Sequence, residues 1–142
     1  MKRNHIATTL VLLGVAFIFW FGTGFVVAPD STAQGFGLPA WPQGQSAAFL
    51  TVKGVRDLSW GVAMLALLLA RQRFALGIAI LAATVAPIGD MLTVLNNHGS
   101  VTIALSVHGL TAAMFALTGL LLIRERSAAP VASAVDSRPV IA

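Results

Sequence analysis

Four stretches of this chain, 6–28, 47–70, 74–95 and 101–123, are apolar over about the length needed to cross a lipid bilayer. A helix rises ~1.5 Å per residue, so about 20 residues cross a hydrocarbon core ~30 Å thick. Backbone polar groups inside lipid are satisfied only in a helix or a closed barrel, and single open strands satisfy neither condition. The expected fold is therefore all-α. It is an integral membrane four-helix bundle, with residues 1–126 as a single transmembrane domain. Composition points the same way. The chain is 57% hydrophobic and 10% charged, whereas a soluble domain carries about 25% charge. A secreted all-helical protein this apolar would leave greasy surface in water and aggregate.

The basic residues set the orientation. Lys2, Arg3, Arg71, Arg73, Arg124 and Arg126 fall on one side if the chain crosses four times. Loops 29–46 and 96–100 contain no Lys or Arg. This is the positive-inside pattern, which places both termini in the cytoplasm of a multi-pass protein of the cell (inner) membrane. The net charge of +4 is thereby accounted for, and no nucleic-acid partner is expected. Val26-Val27-Ala28 offers a signal-cleavage site, but Pro29 follows it, and the apolar run exceeds the ~7–15 residues of a signal core. A retained helix is the expectation. There is no cysteine, hence no disulfide and no thiolate metal site.

Loop 29–45 holds Pro29, Pro39, Pro42, Gly35, Gly37 and Gly44 together with Phe36, Leu38 and Trp41. Pro and Gly turn a chain sharply, and Trp favours the headgroup level. The loop reads as a connector with an aromatic anchor, the competing reading being a lid on the membrane. Residues 127–142, with Pro130 and Pro139, read as a disordered cytoplasmic tail.

Five ionisable residues interrupt the apolar stretches: Lys53, Arg56, Asp57, Asp90 and His108. Counted from the outer helix ends they lie at similar depth: Lys53 at roughly 9 Å, Arg56 and Asp57 at roughly 14–15 Å, Asp90 at about 8 Å and His108 at about 10 Å. At ~100° per residue, Lys53, Asp57, Trp60 and Met64 form one stripe, with Arg56 on its flank. Each central Lys, Arg or Asp costs about 2.5–3.5 kcal/mol on insertion scales, so the group calls for pairing. The expected pairs are Lys53 with Asp57 along the helix and Arg56 with Asp90 across to the third helix, with His108 bonded to one of them. Pro87 and Gly89 stand just before Asp90, where proline removes a backbone hydrogen bond and kinks a helix. Small-residue seams at Ala104, Ala112 and Ala116, and at Ala82, Ala83 and Ala86, suit close helix approach in a tight monomer or a homodimer.

Ion-pair glue alone is a modest reward, since intramembrane polar contacts average about 0.6 kcal/mol. The layer therefore reads as a pocket for a small polar or amphiphilic molecule in the outer half of the bilayer. Its binding residues are Lys53, Arg56, Asp57, Asp90, His108 and Trp60. The alternative is a cofactor-independent enzyme of isomerase or ring-opening type on a lipophilic substrate. Asp90 or Asp57 would then be the acid, His108 the base and Arg56 an electrostatic clamp. A structural or accessory subunit is the third reading. Metal is not expected, because Lys53 and Arg56 repel a cation and no His pair stands at ligand spacing. No cofactor is expected either. Conduction is disfavoured because the inner half has no continuous polar path.

Lys53-Gly54-Val55-Arg56-Asp57 followed by Trp60-Gly61, then Pro87-Ile88-Gly89-Asp90, then His108-Gly109, resembles the family described as domain of unknown function 4267. The resemblance covers residues 8 to 123. It implies a small four-helix membrane protein and draws attention to Arg56, Asp57, Asp90 and His108. It supplies no reaction.

Overall fold

The computed structural model describes residues 2–127, which are mostly helical with no strand among them. Helix α1 (Lys2–Val27) is followed by the short α2 (Pro29–Gln34), a 3-10 turn (Gly44–Ala47) and α3 (Ala48–Leu69). Then come α4 (Arg73–Ala83) and α5 (Val85–Asn96). The last stretch opens with α6 (Val101–Ile103), passes through a π-helical turn (Ala104–Gly109) and ends in α7 (Leu110–Ser127). Three spans are long and apolar enough to cross a membrane: His5–Val27, Arg73–Asn96 and Val101–Glu125. The 22-residue α3 carries Lys53, Arg56 and Asp57, and this charge keeps it out of that class.

The expectation of four simple helices is thus corrected. The run 74–95 is two helices meeting at Thr84, and loop 29–45 forms the extra helix α2. The break has a local cause. Pro87 has no N–H to offer the carbonyl four residues back. Thr84 also donates its hydroxyl to the Ile80 carbonyl at 3.0 Å, a back-bond that bends helices. The backbone at Thr84 stays in the right-handed region (φ −60°, ψ −24°), so the span bends without turning away. The expected tail lies outside the described residues.

Two helix ends are closed by the same device. Arg71 and His98 adopt left-handed φ of 57° and 56°. Gln72 N–H then reaches the Leu67 carbonyl and Arg71 N–H the Leu68 carbonyl, while Gly99 and His98 repeat the pattern on Val94 and Leu95. These are Schellman closures, which satisfy the orphan carbonyls of a helix C-terminus.

Helices approach through glycine pairs. A Cβ on Gly54 would stand 2.7 Å from the Gly22 carbonyl oxygen, and one on Gly77 would stand 3.0 Å from that of Gly119. Gly61 meets Ile18 and Phe19 further down the first pair, so α3 runs antiparallel to α1. The closeness is a device of lipid-embedded helices, where association rests on van der Waals contact of small-residue faces. Of the alanine seams expected, Ala104 and Ala112 are buried, whereas Ala82 and Ala86 are exposed.

Two apolar clusters result. The first gathers Ala7, Val11, Val15, Met64, Leu76, Ile80, Phe115 and Leu122. The second gathers Phe25, Ala33, Phe36, Leu50, Val94 and Ala104, with Trp41 and Leu38 of the loop packed on it. Beyond the first cluster, the Arg73 guanidinium grips Glu125 in a forked pair (Nε–Oε2 2.5 Å, the second arm 3.0 Å) and donates to Thr8 Oγ1 at 3.0 Å. This clamp ties α4, α7 and α1 together at the end rich in arginine.

Candidate functional site

A cavity of about 340 Å³ lies between the two clusters, touching Met64 and Phe115 of one and Phe36 of the other. Six helical elements and the loop residue Phe36 contribute to it, with α7 supplying Thr111 and Phe115. Helix α1 brings Phe17 and Phe21, and α3 brings Lys53, Asp57, Trp60 and Met64. Helices α4 and α5 meet over it at their bend, and the π-helical turn presents His108. The spacing of Lys53, Asp57, Trp60 and Met64 explains their shared face, since one turn of α-helix separates neighbours in the stripe.

Lys53 is the hub of the polar end. Its Nζ lies 3.1 Å from Asp57 Oδ2 and 3.7 Å from Asp90 Oδ2. It also sits 5.3 Å from the centre of the Phe25 ring and 5.4 Å from that of Phe36, within cation–π range. The Lys53, Asp57 and Asp90 side chains are 32%, 28% and 33% exposed. They are half-buried, not sealed as expected for buried ion pairs.

The Arg56–Asp90 pairing is overturned. Arg56 is exposed, does not line the cavity and makes no ion pair among the described residues. One residue's rotation decides this. Arg56 stands three positions from Lys53, on the flank of the stripe, and α3 presents the Lys53–Asp57 edge to α5 instead. Lys53 therefore does the work assigned to both cations.

His108 is buried at 5% exposure. Its Nε2 lies 2.9 Å from the Phe36 carbonyl, and the two rings are 4.5 Å apart. A carbonyl only accepts, so Nε2 is the donor in this contact. Gly37 follows Phe36 with φ 98°, and its carbonyl accepts from Ser100 N–H at 2.8 Å. These bonds bring loop 35–38 down onto the cavity. The connector is thus also a cover, with Phe36 buried beneath it. Pi-helical turns carry one extra residue and recur at functional sites. Here the turn carries the histidine of the polar end.

Sequence reasoning missed Phe36, Phe17 and Phe21 as cavity walls. A loop phenylalanine next to Gly37 was the available signal. The phenylalanines of α1 have no polar neighbour in sequence to mark them.

The wall between α3 and α5 is thin. Helix α3 packs along α1 and meets α4, while α5 packs on the π-helical turn and α7. Across the gap, Lys53 reaches Asp90. Trp60 and Val85, which line the cavity, are 47% and 71% exposed. No group of three or more His, Cys, Asp or Glu fit to hold a metal occurs among the described residues.

The family model described as "Domain of unknown function (DUF4267)" matches residues 14–122. That stretch contains Lys53, Arg56, Asp57, Asp90 and His108 and the whole cavity lining. No curated protein and no solved structure matches the chain.

Proposed function

We propose, for a chain that belongs to the DUF4267 family, that it is a membrane protein binding a small amphiphile in the cavity between its two cores. The observation that carries this reading is the mixed lining of the cavity. Lys53, Asp57, Asp90 and His108 line it beside Phe21 and Phe36 of the second cluster, and Met64 and Phe115 of the first cluster supply apolar wall. Ligand sites are largely apolar concavities of roughly 300–1,000 Å³ with a few convergent polar groups, and 340 Å³ falls within that range. Trp60 lies between Asp57 and Met64 on the α3 stripe. A polar head among the charged groups and an apolar body among the rings would satisfy both.

Topology supports the same reading. Helix α3, though charged, lies antiparallel against α1 at Gly22–Gly54 and Gly61. If α1 crosses the bilayer, α3 crosses with it, which makes a four-span bundle of the inner membrane with cytoplasmic termini. The chain has no cysteine, so single cysteines report cleanly on sidedness. Ser46→Cys is expected to react with a membrane-impermeant maleimide from outside intact cells, and Arg71→Cys only after lysis. The reverse pattern, or equal reactivity, overturns the topology.

The binding reading is tested with diazirine-tagged octyl probes bearing ammonium, hydroxyl or carboxylate heads, applied to reconstituted protein. At least one probe is expected to label peptides of α3, α5 and the π-helical turn. Ala86→Phe, which projects a ring from the exposed lining of α5, is expected to cut that labelling at least fivefold. Labelling that is absent, or indifferent to Ala86→Phe, removes the pocket.

A second reading, an intramembrane acid–base enzyme, draws on Asp90 and His108 lining one cavity. It predicts turnover of a lipophilic substrate that Asp90→Asn abolishes without loss of binding.

A further inference from the structure

We infer that the head of the bound amphiphile is an amine, received by Asp90; the inference rests on the amphiphile pocket proposed above. The polar end holds one lysine and two aspartates, so in their ionised forms the carboxylates outnumber the cation by one. Arg56, which would have evened this balance, lies outside.

The two aspartates are not equally served. Lys53 Nζ hydrogen-bonds Asp57 at 3.1 Å and rests between the faces of Phe25 and Phe36. Asp90 stands 3.7 Å from the same Nζ, an ion-pair contact longer than the Lys53–Asp57 hydrogen bond. The imidazole Nε2 proton of His108 is committed to the Phe36 carbonyl. What the cavity wall lacks is therefore a second positively charged N–H donor, since the two aspartates share Lys53. Carboxylates in a low-dielectric site need such a donor, and a charge-assisted N–H···O bond is about twice as strong as a neutral one.

The remaining walls suit an alkylammonium. Phe17, Phe21, Trp60 and Phe115 supply ring faces, which attract a cation and cover an alkyl chain alike. An anionic head would instead face two carboxylates, and like-charge juxtaposition costs several kcal/mol. Size limits the tail. At about 340 Å³ the cavity stands at the small end of ligand sites, which suits a single-chain amine.

The full chain in neutral detergent, titrated with octylamine, octanol and octanoate and followed by melting temperature, tests the assignment. Octylamine is expected to raise the melting temperature with saturation, at least tenfold more tightly than either octanol or octanoate. Lys53→Gln separates the models by sign. An amine competes with Lys53 for Asp90, so its removal is expected to tighten octylamine several-fold. If Lys53 were the head's own ligand, removal would weaken binding. Asp90→Asn is expected to lose octylamine at least tenfold. Octanoate or octanol binding as tightly as octylamine overturns the amine while leaving the pocket. Failure of all three to bind overturns the pocket itself. Competition of octylamine by vesicles of phosphatidylethanolamine, but not of phosphatidylglycerol, identifies a lipid headgroup as the amine's source. Its absence identifies a free amine.

Discussion

Gly54→Ala is expected to destabilise the protein by about 3 kcal/mol, and Gly54→Leu to prevent a stable fold, in thermal unfolding of the detergent-solubilised chain. The added Cβ would lie 2.7 Å from the Gly22 carbonyl oxygen and 2.9 Å from the Cβ of Phe25. The first neighbour is backbone and the second is the root of a side chain only 1% exposed. No rotamer change relieves either contact. The helices must separate, and with them α3 leaves the cavity that Lys53, adjacent to Gly54, helps to form. Gly89 provides the control. Nothing lies within 4 Å of a Cβ built there. Gly89→Ala is therefore expected to be neutral, or stabilising by up to about 1 kcal/mol through helix propensity. Equal effects at the two sites would show that the α1–α3 contact is looser than described.

The second large effect is expected at the other end of the bundle. Glu125→Gln or Arg73→Gln should each cost about 2–4 kcal/mol, because either change strands a charge in a poorly solvated place. The Glu125 side chain is 12% exposed and that of Arg73 27%, so screening by water is weaker than for a surface pair. The forked geometry engages both carboxylate oxygens, and the third bond to Thr8 draws in α1. A double-mutant cycle should return a coupling of about 1–3 kcal/mol. Coupling near zero would reduce the clamp to an orientation signal. Lys53 differs in kind. Its two carboxylate partners are about one-third exposed, so loss of that pair should cost less than loss of the clamp.

The two effects show how one residue type can answer two physical demands. Arg73 is read in the sequence as a cytoplasmic flank. In the fold it is also the fork that joins three helices. Positive-inside counting concerns one residue and a membrane face, whereas pairing concerns two residues 52 positions apart. The first is legible from a string, and the second requires knowing that α4 and α7 run antiparallel at Gly77 and Gly119.

The five ionisable residues expected in one layer divide along the same line. Lys53, Asp57 and Trp60 share a stripe because helical geometry demands it, and all three line the cavity. Asp90 and His108 join them from other helices. Arg56 was grouped with them by depth, which ignores the rotation of α3 about its own axis. The bend at Thr84 had a visible cause in Pro87. The π-helical turn that presents His108 had none, because an extra residue in a turn follows from packing and leaves no mark in apolar periodicity. The alanine repeats were conspicuous, yet glycines make the closest contacts, and which small residues meet depends on crossing points.

By itself the sequence determined a helical chain made for lipid, with costly polar groups that call for partners. Both follow from local energetics: backbone hydrogen bonds that lipid will not satisfy and charges that lipid will not solvate. Only the tertiary structure decided that Lys53 serves both aspartates, that Arg56 faces away, and that the Phe36 carbonyl covers the site through His108. Those outcomes depend on helix rotation and on a loop folding back over distances of many residues. Each is selected by the packing of whole surfaces, which no single segment encodes.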